Sequence, residues 1–469
     1  MINNLNERSM NYKKYLGLAC LFITAISCNQ QDMEEPLIDG VLPKQTIGLT
    51  EPEYLSIAFD TDNELSETEA TDILNDFAAE KSVTKSTTPT FKLTNKIIVH
   101  GKSPSTRSGI INPENDQVVL YEYEINNSQS KRGKAMVCGD KRFPSVIAYS
   151  DSYEDMKPAT IMIQNAKKYA LSYISQIKYY QDSLRTVTLK KIGEIKNSSS
   201  DITLKDVEND IFIVEQPATK GWSVIPGGQL MSSVGPLTTT RWNQTSPYNL
   251  KAKLTTGTND DGLFGLEYDH RYPAGCVVVA MAQIAAYYKA SIPGIDWSLA
   301  TASSVSDKTS PAAIQIGELM SKIAIGSETT YGPNGGSTST EKARSYMYRN
   351  GIRMSDPVSC TFQNMKSTFD ALRLIYLTGT ARHVVSRSFV GDGNHAWIAD
   401  GYQIRQRGTR QILKQYNVYC HCNFGWGGNS DGWYLFDSSG SISFSCNGYD
   451  FDYQIYDYNI LCYTNINKG

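Results

Sequence analysis

The sequence predicts an α+β protein of two or three domains, on the basis of its length and of the pattern of its apolar segments. The chain has 469 residues, which exceeds what one hydrophobic core usually serves. Several segments repeat apolar residues at helical spacing, and others are short, β-rich and separated by turn-forming residues. The formal net charge is only −3, so nothing indicates a nucleic-acid partner.

The chain begins with the pattern of an export signal. Two lysines precede an apolar stretch over residues 15–26, which is too short to span a bilayer stably but suits a signal peptide. Ala25-Ile-Ser-Cys28 follows and resembles a bacterial lipobox, although alanine replaces the usual leucine. The resemblance implies a lipoprotein signal peptide over residues 1–28, with a lipid attached to Cys28. A plain signal peptide with a chance cysteine is the alternative.

Three acidic residues shortly after Cys28 resemble the surface-export context of Bacteroidetes lipoproteins: Asp32, Glu34 and Glu35. We therefore expect an exported protein, an outer-membrane or cell-surface lipoprotein held at the membrane by its lipid anchor, or one secreted after processing. Residues 29–55 are polar, contain proline and show no periodicity, which predicts a tether.

The next part of the chain predicts a small α+β domain. Ser66 and Glu69 have capping-box spacing, and four apolar residues follow at helical spacing, so a short helix is expected. Residues 118–125, 134–138 and 144–149 are apolar, β-rich segments separated by turn-forming residues, which predicts an antiparallel meander. A second helix follows, with a buried face formed by Ile163, Ala166, Ala170, Ile174 and Ile177.

A break in periodicity separates this part from the rest. Residues 215–240 contain Gln-Pro-Ala-Thr-Lys-Gly-Trp and Pro-Gly-Gly, which predicts an exposed linker and the main domain boundary. Enough chain follows for a two-lobed enzyme domain. Period-2 segments dominate its end, where tyrosine is abundant, so the C-terminal lobe should be mostly sheet.

A glycine and a cysteine open a long apolar run at Tyr272-Pro-Ala-Gly-Cys276. Residues 277–286 are apolar except for Gln283, which predicts a deeply buried helix with Cys276 in its first turn. The unpaired N–H groups of a helix N-terminus and a nearby imidazolium both favour a thiolate. The alternative is core packing, since free cysteines are among the most buried residues. The nine cysteines less Cys20 and Cys28 leave an odd number, so an exported form has at least one free thiol.

A thiol peptidase needs an imidazole to hold the proton and a third group to orient that imidazole. His395 is the strongest candidate, because the segment Gly391-Asp-Gly-Asn-His395 is expected to deliver it onto the first residue of a strand. A histidine satisfied at a strand edge is the alternative. Asn423 and Trp426 stand in a second glycine-rich turn, where an asparagine carbonyl can accept the other imidazole N–H and a ring can shield that bond.

Cys420-His421-Cys422 also suggests a zinc site. Strand alternation opposes it, because the two cysteines would face one way and the histidine the other, and no second ligand pair has the right spacing. We therefore expect neither a metal nor another cofactor.

Four motifs in this order resemble the streptopain family of papain-like cysteine peptidases, peptidase family C10. They are Trp242-Asn-Gln244-Thr-Ser-Pro-Tyr-Asn249, the Gly275-Cys276 helix with Met281-Ala-Gln283, Asn394-His395-Ala-Trp-Ile-Ala-Asp-Gly, and Asn423-Phe-Gly-Trp-Gly-Gly428. The resemblance implies a papain-like fold of two lobes, a helical lobe with the nucleophile helix and an antiparallel β lobe. It also implies a thiol endopeptidase that acts on protein or peptide substrates.

Carried over residue by residue, the resemblance assigns five roles. It makes Cys276 the nucleophile and His395 the general base and acid. It makes Gln244 the oxyanion-hole donor, Asn423 the group that orients the histidine, and Trp426 the cover of the site.

Two positions depart from the family pattern. Phe424 stands where tryptophan is usual, and Asn394 stands where glycine is usual. Neither change removes a catalytic atom, but both leave substrate preference open. A non-catalytic surface binding protein on the same fold, and a cysteine amidase acting on cell-wall peptide, remain as alternatives.

The N-terminal meander also resembles a known element. Residues 121–126 and 135–149 are similar to the strand-turn-strand core of the family's inhibitory pro-region, which implies a zymogen whose own pro-domain acts as an intramolecular inhibitor. The expected organisation is a signal peptide (1–28), a tether (29–55), an inhibitory α+β pro-domain (56–220), a linker with the maturation site (221–240) and a C10-like peptidase domain (241–469).

Overall fold

The computed structural model describes most of the chain beyond residue 45. The described residues are 46–59, 62–79, 89–100, 117–126, 132–153, 159–197, 202–214, 229–253, 271–332, 335–385, 388–407, 415–436, 450–451 and 454–469. They belong to one compact unit, residues 45–469. Cys28, the predicted signal peptide and the first part of the predicted tether lie outside them. Among the described helices, none is both long and apolar enough to cross a membrane.

The first described elements correct the predicted end of the tether. Strand β1 (Ile47–Leu49) pairs in parallel with β6 (Ile211–Ile213), and helix α1 (Glu51–Ile57) follows at once. Thr50 caps that helix, because its Oγ1 accepts from the Glu53 N–H at 3.4 Å, and its own N–H donates back to Glu53 Oε2 at 2.8 Å. The tether therefore ends before Ile47 and not at residue 55. A three-residue strand is too short to show a period in the sequence.

Helix α2 (Glu67–Ala79) confirms the predicted capping box. The Ser66 N–H donates to Glu69 Oε2 at 2.7 Å, and the Glu69 N–H donates back to Ser66 Oγ at 3.3 Å. Leu74 and Phe77 are buried on the inner face of the helix, as their spacing predicts.

Four antiparallel strands form the predicted meander and extend it by one: β2 (Thr90–His100), β3 (Gln117–Asn126), β4 (Arg132–Cys138) and β5 (Ser145–Ser150). Strand β2 was not predicted, because its register shifts between Leu93 and Asn95 and so interrupts its alternation. The second predicted helix is α3 (Thr160–Lys196), 37 residues long, and the short α4 (Leu204–Val207) follows it.

The C-terminal half contains a helical part and a sheet, and the predicted α+β class is confirmed. Its helices are α5 (Cys276–Tyr288), α6 (Pro311–Gly326), α7 (Thr340–Arg349) and α8 (Phe362–Asp370). Helix α5 is buried on all sides from Val277 to Ala286, as its composition predicts, and it shares a core with α6 and α7.

Strands make up most of the end of the chain, as predicted. They are β7 (Leu230–Val234), β8 (Thr330–Gly332), β9 (Gly335–Ser337), β10 (Ile352–Arg353), β11 (Val358–Ser359), β12 (Ile375–Val385), β13 (Ser388–Gln406), β14 (Tyr416–Asn423), β15 (Gly432–Phe436), β16 (Asp450–Phe451), β17 (Gln454–Tyr463) and β18 (Asn467–Lys468). The large sheet has the order β11-β17-β12-β13-β14-β15-β5-β4-β3-β2, and β7 also pairs with β13.

The described part of the predicted linker is not free chain. Residues 215–228 lie outside the described part, but β7 pairs with β13 through partners such as Val234 and Tyr402. Three of the five β7 side chains are exposed, so no burial pattern marks this strand in the sequence. The strand is held by backbone hydrogen bonds instead, and the linker is shorter than predicted.

One strand pair joins the two halves of the chain. Trp433 and Tyr434 of β15 pair with Tyr149 and Ala148 of β5, so the N-terminal meander continues the C-terminal sheet. The approach is close: a Cβ at Gly432 would lie 2.2 Å from the Tyr149 carbonyl oxygen, so only glycine fits there. One sheet therefore spans both predicted domains.

Candidate active site

Cys276 is the first residue of α5, as predicted, and a glycine makes that start possible. Gly275 has a φ of 97°, and a Cβ there would lie 2.3 Å from the Gly336 carbonyl oxygen. The Cys276 side chain is partly exposed, and the Ala396 N–H of β13 is directed at its sulfur together with the N–H groups of Val277 and of Cys276 itself. The thiol thus lies where helix and strand meet.

The pKa of the Cys276 thiol is raised, whereas the sequence predicted that it would be lowered. Burial raises the pKa of the thiol, and the three N–H groups lower it by less than burial raises it. The helix N-terminus favours a thiolate as expected, but desolvation dominates in this conformation. The thiol is therefore neutral here.

His395 lies within β13 and not at its start, so that detail of the prediction was wrong. It pairs with Gly379 of β12, and β14 joins the other edge of β13 only from Ile398 onward, opposite Asn423. The chain after Asn423 therefore enters the space beside the imidazole. His395 Nε2 lies 3.1 Å from the Phe424 carbonyl oxygen. A carbonyl can only accept, so Nε2 carries the proton and Nδ1 keeps its lone pair.

Aromatic rings enclose the imidazole. The centroids of Trp397, Phe424 and Trp426 lie 5.8, 6.0 and 6.3 Å from that of His395, the first two stacked and the third edge-on. Burial lowers the pKa of His395 to about 4, although the Phe424 carbonyl raises it. The imidazole is therefore neutral near neutral pH.

The two central residues lie close in the fold but are not hydrogen-bonded to each other in the described structure. Ala396 and Ile398 share a core with α5, whereas Trp397 belongs to the core on the opposite face of β13. Strand alternation places His395 on the same face as Trp397. The sulfur of Cys276 thus meets this strand through the Ala396 N–H and not through the imidazole.

Asn423 is bonded to groups other than the imidazole. Its Nδ2 donates to the Thr240 carbonyl at 2.6 Å, and its Oδ1 accepts from Gln283 Nε2 at 2.9 Å and from the Gly425 N–H at 3.1 Å. The Gly425 N–H and the Phe424 carbonyl belong to one planar peptide unit. Asn423 therefore holds the peptide whose oxygen meets His395, and its contact with the histidine is indirect.

Gln244 is held beside the start of α5. Its carbonyl accepts from the Ala274 N–H at 2.8 Å, two residues before Cys276. Trp242 is fully buried, donates from Nε1 to the Ala302 carbonyl at 2.8 Å, and its own carbonyl accepts from the Gly427 N–H at 2.8 Å. The segment 242–244 thus connects the nucleophile helix to the glycine-rich turn that carries Trp426.

Comparison with known proteins finds similarity to one peptidase family. The Peptidase C10 family model matches residues 242–434, which include all five predicted site residues. Streptopain of Streptococcus pyogenes serotype M28 (strain MGAS6180) is 22% identical over 357 residues, which cover 68% of this chain and 74% of streptopain. Streptopain of serotype M1 matches with the same identity and coverage. Residues 242–434 are thus similar to the peptidase C10 family.

The resemblance predicted from the four motifs is thereby confirmed, and the protein is a cysteine-type peptidase. A solved structure, that of active wild-type Prevotella intermedia interpain A cysteine protease, also matches. Its sequence identity is 20% and its TM-score 0.33, with coverage of 50% of this chain and 95% of that one.

The C10 region contains polar side chains whose roles the sequence did not indicate. The sequence marked Gln283 as an interruption of an apolar helix and as part of a family motif but gave it no role; it is fully buried and bonds Asn423. Asp431 accepts from the Phe424 N–H at 2.9 Å and so holds the residue that meets His395. A buried amide in an otherwise apolar helix is a usable signal, because an unpaired amide there is costly. The position of Asp431 had no comparable signal.

The Cys420-His421-Cys422 segment is arranged as strand alternation predicts. Both cysteines are buried on one side of β14, and His421 Nδ1 lies 2.6 Å from Asp400 Oδ1. Within the described ranges, no group of three or more His, Cys, Asp or Glu side chains is placed to hold a metal ion. The histidine of this motif is a carboxylate partner.

Proposed function

We propose that this C10 peptidase is a thiol endopeptidase made as an exported zymogen, with Cys276 as nucleophile and His395 as general base and acid. One observation carries the proposal: the Cys276 sulfur lies at the N-terminus of α5 with the N–H of Ala396, the neighbour of His395, directed at it. Helix N–H groups favour the thiolate, and the adjacent His395 supplies the base once loss of the N-terminal half lets its imidazole reach the sulfur from the other face of β13.

The proposed reaction uses these positions in two stages. His395 Nδ1 takes the thiol proton, the sulfur bonds to the peptide carbonyl carbon, and the carbonyl oxygen becomes an oxyanion. The Cys276 N–H and the Gln244 side-chain amide donate to it, and loss of one such donor typically costs about 10²–10³ in rate. His395 then protonates the leaving amine, and water, deprotonated by His395, hydrolyses the thioester and restores the thiol.

The histidine is held by a main-chain carbonyl in this proposal. Phe424 accepts from Nε2 and fixes the tautomer, and Asn423 acts one step away by holding the same peptide unit. Trp426 covers the imidazole edge-on. These contacts keep Nδ1 available for the thiol proton.

The zymogen proposal is supported by contacts of the N-terminal half with the site. Ile161 of α3 packs on Gly379: a Cβ there would lie 2.8 Å from Ile161 Cδ1 and 2.8 Å from the Trp397 ring. Gly379 is paired with His395, and facing residues of an antiparallel pair share one face, so α3 covers the face that carries the imidazole. With this helix in place, the thiol and the imidazole are not bonded to each other. Removal of the N-terminal half is therefore expected to be needed for activity.

The substrate class is tested by incubating purified, processed protein with casein and, separately, with peptidoglycan. We expect cleavage of casein, labelling of Cys276 by an epoxide thiol inhibitor, and no turnover by a Cys276→Ala control. Release of peptidoglycan fragments without casein cleavage would favour the cell-wall amidase. Failure to turn over either substrate, with no label on Cys276, would favour a binding protein and contradict the proposal.

Self-maturation is tested with the same substitution in the full chain. We expect the Cys276→Ala precursor to retain its N-terminal half while wild-type protein loses it, with a cut within residues 221–240 mapped by the mass of the mature N-terminus. Processing of the variant at the wild-type rate in isolation would exclude self-cleavage.

Export and anchoring are proposed from the sequence pattern of residues 1–28 alone. A Cys28→Ala variant should lose membrane association, since the lipid has no other attachment point in this proposal. Unchanged membrane association of that variant would exclude lipidation at Cys28, and detection in the cytoplasm alone would exclude export.

A further inference from the structure

A single residue of the turn between β14 and β15 is held from both sides. The Phe424 carbonyl accepts from His395 Nε2 at 3.1 Å, and the Phe424 N–H donates to Asp431 Oδ1 at 2.9 Å. The turn itself is short and tight: Gly425, Gly427 and Gly428 have φ values of 70°, 68° and 86°. The Phe424 ring is buried in the core, and the two hydrogen bonds, with the bond from the Gly425 N–H to Asn423 Oδ1, hold its main chain.

The Asp431 carboxyl is itself held firmly. The residue follows Ser430, which is fully buried with a φ of 63°, and precedes Gly432, which has no room for a side chain against Tyr149. The Asp431 carbonyl accepts from Ser150 Oγ at 2.7 Å, so the N-terminal strand β5 adds a further contact to the main chain of the same residue. The carboxyl is thus placed by the backbone on both sides of it.

We propose that Asp431 is a positioning residue of the peptidase reaction, which fixes the Phe424 main chain and thereby keeps His395 in the tautomer with Nδ1 free. This inference rests on the proposed roles of Cys276 and His395. Without the carboxyl acceptor, the Phe424 N–H has no acceptor in this conformation. The turn then adopts other conformations in which this N–H is hydrogen-bonded elsewhere. The carbonyl then leaves Nε2, and the imidazole populates both tautomers.

The surroundings of Asp431 predict a pH signature. Burial and, to a smaller extent, the nearby Asp400 raise the pKa of this carboxyl, the Phe424 N–H, His421 and Arg241 lower it, and the net pKa is about 7. Tyr434 of β15 also faces the carboxyl. The ionised carboxylate accepts the Phe424 N–H more strongly than the acid does. The kcat of the processed enzyme should therefore rise with pH as Asp431 ionises, at a pH below about 7 to the extent that loss of Tyr149 and Ser150 exposes the carboxyl.

The test compares processed wild-type enzyme with Asp431→Ala and Asp431→Asn. We expect Asp431→Ala to lower kcat by about 10–100-fold, as loss of an outer-shell partner typically does, with KM changed by less than about twofold. Asp431→Asn keeps an oxygen at the acceptor position and should lose less activity, but its pH profile of kcat should lack the rise that ionisation of Asp431 produces. Nitrogen-15 NMR of His395 in a Cys276→Ala background should show the Nε2–H tautomer, and a mixture once Asp431→Ala is added.

A matched control removes the other contact of the same residue. Ser150→Ala deletes the bond to the Asp431 main chain but leaves the carboxyl in place, and Ser150 lies before the proposed cut. In the Cys276→Ala precursor, which retains residue 150, adding Ser150→Ala should leave the nitrogen-15 spectrum of His395 in the Nε2–H tautomer, in contrast to Asp431→Ala.

The outcomes separate this inference from the proposed function. Wild-type kcat and pH profile in both Asp431 variants, with an inactive Cys276→Ala enzyme, would overturn the positioning role alone. Full activity of Cys276→Ala would instead remove the proposed function. If Asp431→Ala does not fold, as judged by circular dichroism, the pH profile and histidine spectrum of Asp431→Asn decide the question by themselves.

Discussion

His395 and His421 lie on neighbouring strands of one sheet, and both are packed against aromatic rings, yet their partners differ in kind. His395 meets a neutral main-chain carbonyl at 3.1 Å, whereas His421 meets the carboxylate of Asp400 at 2.6 Å. Asp400 is fully buried and also accepts from the N–H and hydroxyl of Thr238 at 3.0 and 2.8 Å. It therefore ties the chain after β7 to the sheet.

The difference shows how a partner sets the task of a histidine. A carbonyl fixes one tautomer and leaves the other nitrogen free to exchange a proton, which suits a general base. A buried carboxylate engages the ring in a charge-assisted bond and commits it to structure. The His421 ring is further fixed by Trp433, whose centroid lies 4.9 Å away.

The strongest test of this difference replaces each of the two histidines in turn. His395→Ala should lower kcat by about 10²–10⁴-fold, because the general base and acid is lost. His421→Ala should instead lower the free energy of unfolding by about 3–5 kcal/mol, because Asp400 stays buried without its partner. Urea unfolding and kcat per labelled active site measure the two effects. An equal loss of kcat per folded molecule in both variants would show that the two histidines do not divide the tasks.

A second prediction concerns the carboxyl that lies near both histidines. The pKa of Asp431 is raised to about 7, above an unfolded value of about 3.9, so the folded protein keeps a proton that the unfolded chain releases. The contribution of Asp431 to the free energy of unfolding of the wild-type protein therefore falls as pH rises from about 4 to about 7. The free energy of unfolding of Asp431→Asn relative to wild type should increase over that window, by up to about 4 kcal/mol, and stay constant above it.

His395 has the opposite dependence, which is why the variant must be compared with wild type at each pH. Its pKa is lowered to about 4 from about 6.5, so its contribution rises with pH between those values and offsets that of Asp431. Both proteins contain His395, so its contribution cancels in the difference. A difference that does not vary with pH, measured by thermal unfolding, would contradict the assignment of the raised pKa to Asp431.

A third prediction sharpens the role of Asn423. If its amide braces α5 through Gln283, then Asn423→Ala and Gln283→Ala should each destabilise the fold by about 1–3 kcal/mol, because a buried amide is left unpaired. The double variant should lose less than the sum of the two, since both changes break one bond. Only Asn423→Ala should also lower kcat, because it alone frees the Gly425 N–H. Additive losses would argue against the brace.

The smallest effect is expected at Thr238. Thr238→Val removes the hydroxyl donor to Asp400 but keeps the main-chain N–H, so the free energy of unfolding should fall by only about 1 kcal/mol. Thr238→Ser keeps the hydroxyl and serves as the control. A loss as large as that of His421→Ala would mean that Thr238, and not His421, is the main partner of Asp400.

The elements that were predicted correctly are those whose signal is local. The capping box at Ser66, the meander and the buried helix after Cys276 all follow from residues a few positions apart, and the structure has them at nearly the predicted bounds. The errors occurred where backbone pairing dominates. Strand β7 has exposed side chains, and β13 continues through a glycine-rich segment that the sequence suggested was a turn.

The likeness to the C10 peptidases, the α+β class and the two residues proposed for the thiol and the base all follow from the sequence alone, because motifs and periodicity are properties of the chain. Only the tertiary structure decided which acceptor meets each histidine. Phe424 reaches His395 because β14 pairs with β13 only from Ile398 onward. That register, and the burial that raises or lowers each pKa, depend on strands far apart in the sequence.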